Sequence, residues 1–151
     1  MSTPSEQVET IVAKLSGQDL SEFLADVPTS RAIRDWLERA PISADAKSLL
    51  FSVAATAVKI GGMVVNVGLK VLQTIQILVR EHPSTAFGLV VGLVLSYLTT
   101  QVPLIGALLS PLLSPIFLAF GIGMGAIIDM KDRAVRSRVE ELSAEFAVLR
   151  A

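Results

Sequence analysis

Few side chains in this sequence are suited to covalent chemistry. The 151 residues include no cysteine and one histidine, His82, which excludes thiol nucleophiles, iron–sulfur clusters and cysteine–zinc sites. A catalytic serine would need His82 as its base, but His82 lies in the run 80–83, a pattern typical of a break between helices. We therefore predict that the protein is not an enzyme and that it has no metal site, no cofactor and no small-molecule substrate.

The most regular polar pattern lies within a long apolar stretch that begins after Pro41. Four of its polar residues follow one another at intervals of seven, and two more lie one helical turn away. Residues at this spacing share one face of a helix. This set, the polar stripe, is Ser52, Thr56, Lys59, Asn66, Lys70 and Gln73.

Three interpretations of the polar stripe are open. A lysine that faces lipid costs a few kcal/mol or more, so the stripe must face water or a partner. Several copies of the chain around an axis would let the stripes line an aqueous pore, in which Lys59 and Lys70 favour anions. Alternatively, the helix lies in the membrane interface and both lysines reach headgroups, or the stripe packs against the N-terminal part of the chain.

The composition indicates a membrane protein. Hydrophobic residues make up 52% of the chain, charged residues 18%, and the mean hydropathy is +0.61. Soluble domains carry about 25% charged residues, and a small one has a large surface to cover with them. The high apolar content excludes a disordered chain, and the net charge of −1 gives no electrostatic basis for binding nucleic acid.

The charge is missing from one continuous segment. Residues 83–128 include no charged side chain, and one membrane span needs about 20 apolar residues. We predict a membrane hairpin over 83–130, with a first span over 84–102, a turn or re-entrant segment over 103–115 and a second span over 116–130. The second span is short, so it either begins earlier, near residue 112, or does not fully cross. The alternative is a hairpin buried in a soluble bundle that inserts on demand.

Small residues in the hairpin favour close packing of helices. They recur at four-residue spacing, which in lipid lets two helices approach closely. The predicted helix-packing residues are Gly88, Gly92, Ser96, Gly121 and Gly125.

Amphipathic helices are predicted on both sides of the hairpin. Residues 1–42 form an N-terminal head of short helices; the third begins at Thr29 or Ser30 and has Ile33, Trp36 and Leu37 on one face. Residues 43–82 follow as one long amphipathic helix associated with the membrane. Ser43 caps this helix, and the Gly61–Gly62 pair is a point where it can bend.

The C-terminal segment 131–151 is predicted to be an amphipathic helix. Its apolar residues alternate at spacings of four and three, as in a heptad. This face is expected to pack on another chain or on the N-terminal head, unless the helix is a lone amphipathic one. The residues of this face are Val135, Val139, Leu142, Phe146 and Leu149.

Together these elements predict an all-α integral membrane protein. Basic residues follow the last apolar segment, and Arg80 precedes the hairpin, so both hairpin ends are predicted to be cytoplasmic. The N-terminal head lies on the same side if the long helix stays out of the bilayer, and on the opposite side if it spans.

In layout alone, the chain resembles two kinds of small helical protein. One kind permeabilises membranes with a Gly-rich hairpin between amphipathic helices. The other curves membranes by placing amphipathic helices beside a short hairpin. The polar stripe, with Lys59 and Lys70, leads us to expect a homo-oligomeric pore or ion channel in the lipid bilayer that this stripe lines. The alternative is a membrane-shaping or scaffolding protein whose long helix lies in the membrane interface.

Overall fold

The structure is a computed structural model that describes residues 27–60, 63–83, 86–121, 133–144 and 146. Most of these residues are helical, as the sequence predicted. The first two predicted helices of the head lie outside the described residues. The elements are α1 (Ser30–Arg39), α2 (Ala44–Ala54), β1 (Val58–Ile60), β2 (Met63–Val65), α3 (Val67–Glu81), α4 (Phe87–Gln101), α5 (Pro103–Phe120) and α6 (Arg133–Ser143).

Hydroxyl caps begin the first two helices. The Thr29 side chain accepts a hydrogen bond from the Ala32 amide at 3.1 Å, and the Ser43 side chain accepts one from the Ala46 amide at 3.2 Å. Each bond satisfies an amide that has no partner within its helix. The predicted starts of these two helices are therefore confirmed, with Thr29 as the first cap.

The prediction of one continuous helix over 43–82 is wrong. The chain leaves helix α2 after Ala54, forms the antiparallel strands β1 and β2, and enters α3 at Val67. The strands are rich in β-branched residues and are separated by Gly61–Gly62, a combination that favours a two-residue hairpin over a bent helix.

Helices α2 and α3 approach each other closely at Gly68. A Cβ atom at this position would lie 1.8 Å from the carbonyl oxygen of Val53, and the Gly68 amide donates to the Thr56 carbonyl at 3.0 Å. Only a residue without a side chain fits such a contact. The strand pair thus returns the chain so that α3 packs on α2.

The hairpin α4–α5 turns earlier than predicted. We expected a turn or re-entrant segment over 103–115, but this segment is helical, and the break between the helices is at Val102. Pro103 occupies the first turn of α5, where a missing amide costs no hydrogen bond. Gly106 makes the tight turn possible, since a Cβ there would lie 2.7 Å from the Thr99 carbonyl oxygen.

The tip of this hairpin carries uncharged polar residues. The hydroxyl of Thr99 donates to the Ser96 carbonyl at 3.1 Å, and that of Thr100 donates to the same carbonyl at 3.0 Å. Both hydroxyls are therefore paired within helix α4, at the end of the hairpin farthest from its entry and exit.

The core forms between α3, α4 and their neighbours. The side chains of Ile75, Leu78, Val94 and Leu98 are fully buried. Helix α5 packs against α4 and α2, and α6 packs against α3 and α4. The C-terminal helix therefore lies on the bundle that includes the hairpin's first helix.

Candidate membrane-interacting surface

Helix α5 is an apolar helix on the outside of the bundle. It has 18 residues with a mean hydropathy of 1.9, and 22% of it is buried. Among the described residues it is the one helix that is long and apolar enough to cross a membrane. At 1.5 Å per residue it is about 27 Å long, close to the thickness of a bilayer's hydrocarbon core.

The outer face of α5 is made of small, proline and leucine residues. Leu118 is 81% exposed, an unusual exposure for a large apolar side chain. Four further residues of this face are also exposed. The exposed residues that share this face are Ser110, Pro111, Ser114, Pro115 and Leu118.

Two prolines add polar backbone groups to this face. Pro111 and Pro115 lie inside the helix and have no amide hydrogen, so the carbonyls of Ala107 and Pro111 lose their usual donors. Ser110 and Ser114 directly precede these two prolines. Neither serine hydroxyl makes a hydrogen bond to any described residue. A hydrophobic helix thus carries a narrow line of hydrogen-bonding groups.

Helix α4, the other arm of the hairpin, is covered by protein. Val90, Val91, Leu95 and Leu98 are fully buried, and α3, α5 and α6 pack around the helix. With 15 residues it is shorter than α5. The two arms of the predicted hairpin therefore differ, since one is a core helix and the other is a surface helix.

Three aromatic rings mark the base of the hairpin. The ring centroids of Trp36 and Phe87 are 5.6 Å apart, and those of Phe87 and Phe120 are 6.1 Å apart. Phe87 begins α4 and Phe120 ends α5, so the row joins both ends of the hairpin to helix α1. Trp36 was assigned to the apolar face of α1 from the sequence, but its contact with Phe87 was not predicted.

A cleft opens beside the aromatic row. It has a volume of about 470 Å³ and lies between α1, the end of α3 and the start of α4. Its walls combine aromatic and aliphatic groups with one guanidinium, that of Arg39. The residues that define it include Trp36, Arg39, Val79, Pro83 and Phe87.

The polar stripe does not form one face, because its residues lie on α2, on β1, on α3 and in the segments that join them. Ser52 lies in the last turn of α2 and Thr56 just after this helix, and the Thr56 hydroxyl donates to the Ser52 carbonyl at 3.1 Å. Lys59 is exposed on β1, opposite Val64 of β2. Asn66 precedes α3 and gives it no side-chain cap.

The two lysines of the stripe have opposite environments. Lys70 is 4% exposed and lies inside the bundle on α3, whereas Lys59 is exposed to solvent. Gln73 is half-buried on the same helix as Lys70. The polar stripe was expected to lie on one face of a single helix, towards water or a partner. Its two lysines do not share such a face, because the strands between them reverse the chain.

The small residues of the hairpin have separate roles. A Cβ at Gly88 would lie 2.9 Å from the ring of Phe120, so this glycine brings the two arms together at their base. Gly92 is buried, and the hydroxyl of Ser96 is buried without a hydrogen-bond partner among the described residues. Gly121 ends α5 with φ +68°, a conformation that favours glycine. Gly125 lies outside the described residues.

The apolar face of the C-terminal helix is buried within the chain. Val135, Val139, Leu142 and Phe146 lie against the bundle, and α6 packs on α3 and α4. The face was expected to pack on another chain or on the N-terminal head, but it packs on α3 and α4 of the same chain, and the helix is not a lone one. Leu149, the last predicted residue of the face, lies outside the described residues.

An ion pair fixes α6 to the end of α3. Arg138 donates to both carboxylate oxygens of Glu81, at 2.8 and 3.0 Å, and donates to Glu141 at 3.0 Å. Its hydrogen bonds to Glu81 lower the pKa of that carboxyl group below its ordinary value. Hydrogen bonds to both carboxylates raise the pKa of Arg138.

The chain was compared with known proteins in three ways. No family model matches it, and neither the curated proteins nor the solved structures include a match. Among the described residues, no group of histidine, aspartate and glutamate side chains is arranged to hold a metal ion.

Proposed function

We propose that the protein inserts its α4–α5 hairpin into a lipid bilayer and thereby shapes or scaffolds the membrane. The observation that carries this proposal is the uncovered apolar surface of α5, with 22% of the helix buried and Leu118 81% exposed. An apolar helix of this length that is mostly uncovered is unusual on a protein surface in water, and exposed apolar surface marks membrane or partner contacts.

The form of the molecule supports membrane shaping in particular. The hairpin enters and leaves at one end, beside the aromatic row of Trp36, Phe87 and Phe120. Tryptophan side chains prefer the level of the lipid headgroups, and Trp36 is one ring of this row. With the row at this level and α4 released from α3 and α6, the remaining helices stay on one side of the bilayer and widen that leaflet more than the other. Arg80, before the hairpin, favours the cytoplasmic side for these helices.

A charge on the outer face of α5 tests the proposal. Ser114 is exposed near the middle of the helix, so Ser114→Asp is tolerated in water but costs about 3 kcal/mol near the centre of a bilayer. The matched control is Ser137→Asp, on the exposed side of α6. In a flotation assay with phosphatidylcholine vesicles, Ser114→Asp should no longer float with the vesicles, whereas Ser137→Asp should float as the native chain does. Equal flotation of both variants would contradict insertion of α5.

A homo-oligomeric pore is the second candidate function. It is favoured by the hydroxyls of Ser110 and Ser114 and by the carbonyls opposite Pro111 and Pro115, which form a polar line on an apolar helix. Copies of α5 around an axis would direct these groups at water. In this candidate function the polar groups of α5 line the pore instead of the polar stripe, because Lys70 of the stripe is buried.

Dye release and vesicle shape separate the two functions. The double variant Ser110→Leu with Ser114→Leu makes the outer face of α5 more apolar. Membrane shaping predicts that the native chain draws vesicles into tubes without releasing trapped dye, and that the variant does the same. A pore predicts dye release by the native chain that the variant loses.

A further inference from the structure

We propose that the cleft beside the hairpin base binds the headgroup of an anionic phospholipid, with Arg39 holding the phosphate. This inference rests on the proposed membrane insertion and names the lipid class that the inserted protein recognises. The cleft has a volume of about 470 Å³ and is bounded by Trp36, Val79, Pro83 and Phe87.

The chemistry of the walls fits an amphipathic ligand. The rings of Trp36 and Phe87 lie 5.6 Å apart and form an apolar side. Arg39 supplies the charged side, and its guanidinium makes no hydrogen bond or ion pair with any described residue. A guanidinium can donate two parallel hydrogen bonds to a phosphate, which a neutral side chain cannot do.

The position of the cleft favours a lipid over a soluble anion. Phe87 belongs both to the cleft and to the aromatic row, and Phe120 stacks on it at the end of α5. A lipid whose headgroup lies at Arg39 therefore has its acyl chains close to the apolar surface of the hairpin. Free phosphate would leave the aromatic side of the cleft in water.

The single tryptophan gives a direct readout of occupancy. Trp36 is the one tryptophan of the chain and lines the cleft, so its emission reports on this place alone. Titration with a short-chain phosphatidylglycerol that stays monomeric should shift the emission to shorter wavelength. Inorganic phosphate at matched ionic strength should not. A shift with phosphate alone would overturn the assignment to a lipid.

Arginine variants on one helix test the role of Arg39. Arg39→Gln should weaken binding of the short-chain lipid about fivefold or more, as expected for one arginine at an anionic lipid. Arg39→Lys keeps the positive charge but loses the two parallel hydrogen bonds, so its affinity should lie between those of the native chain and Arg39→Gln. The matched control is Arg34→Gln, since Arg34 is exposed on α1 and lines a different depression with Glu38 and Phe51.

The outcomes also separate this inference from the proposed function. Equal losses for Arg39→Gln and Arg34→Gln would show general attraction between positive and negative charge, and would overturn the site. Flotation with neutral phosphatidylcholine vesicles depends on α5 and should persist in Arg39→Gln. If all variants float but the short-chain lipid does not bind, the inference fails while the proposed insertion stands.

Discussion

Arg138 and Glu81, which are 57 residues apart in the sequence, form a bidentate ion pair with Nε–Oε1 and Nη2–Oε2 distances of 2.8 and 3.0 Å. The pair joins the end of α3, which leads into the hairpin, to the middle of α6. Both side chains are more than a third exposed, so water and salt weaken their attraction. The geometry nevertheless fixes which turn of α6 meets the hairpin entrance.

This pair predicts a pH dependence of stability. The folded protein holds the pKa of Glu81 below the ordinary 4.5. The ionised carboxylate therefore stabilises the fold above pH 4.5, and that contribution is lost as the pH falls through the lower pKa of the folded state. We expect Glu81→Gln to reduce the difference in melting temperature between pH 7 and pH 3, measured by circular dichroism.

The control for this effect is Glu140→Gln. Glu140 is exposed on the same helix as Arg138 and makes no ion pair with a described residue. Its replacement should leave the pH dependence close to that of the native chain. A native pH dependence in Glu81→Gln would contradict the assigned role of the ion pair.

At Gly68 we expect a glycine-to-alanine substitution to have the opposite of its usual effect on stability. Glycine to alanine in a helix ordinarily stabilises a protein, by about 1 kcal/mol. At Gly68 the new Cβ would lie 1.8 Å from the Val53 carbonyl oxygen, which is backbone and cannot rotate away. We expect Gly68→Ala to lower the free energy of unfolding by about 2 kcal/mol or more, measured by urea titration. An unchanged or higher stability would show that α2 and α3 do not approach this closely.

The prolines of α5 make a prediction about helix strength. Pro111→Ala restores an amide donor to the Ala107 carbonyl and removes a clash in the helix interior, which should raise stability by about 1–3 kcal/mol. Pro103→Ala is the matched control, because Pro103 lies in the first turn of the same helix, where no bond is lost. The melting temperature should rise for Pro111→Ala and change little for Pro103→Ala. The opposite order would mean that α5 does not begin at Pro103.

The two lysines of the polar stripe should respond differently to charge reversal. Lys59→Glu changes an exposed residue of β1 and should alter stability by less than about 0.5 kcal/mol. Lys70→Glu places a carboxylate where a lysine is 4% exposed, and should cost about 3 kcal/mol or more. Urea titration of the two variants compares them directly. Similar small effects would indicate that both residues share a water-facing surface.

The sequence predicted the features that depend on local chemistry. Ser43 was identified as a cap, and Thr29 was one of two candidates with Ser30, because hydroxyls bond to nearby amides. The uncharged hairpin was evident from composition. The strand pair was missed because the seven-residue spacing from Ser52 to Gln73 was given more weight than the Gly61–Gly62 pair. Spacing alone cannot distinguish a helix from a chain that reverses between two helices.

The candidate surface depended on contacts between distant segments. Helices α4 and α5 are both apolar and uncharged, so their composition does not show that α4 is buried and α5 exposed. That difference arises because α3 and α6 cover α4. The contact of Trp36 with Phe87 and the pair of Glu81 with Arg138 likewise join residues that no periodic pattern relates.

The hairpin tip described above bears on the rate of insertion rather than its equilibrium. In the proposed insertion, the turn at Val102 enters the hydrocarbon first and determines the barrier. A charged residue costs about 3 kcal/mol or more at the bilayer centre, but the residues on either side of this turn are uncharged. The hydroxyls of Thr99 and Thr100 already have an acceptor in Ser96, so they enter lipid with their hydrogen bonds made. Insertion therefore needs no passage of a bare charge, and the exposed amide of Gln101 is the polar group of the tip that must shed its water.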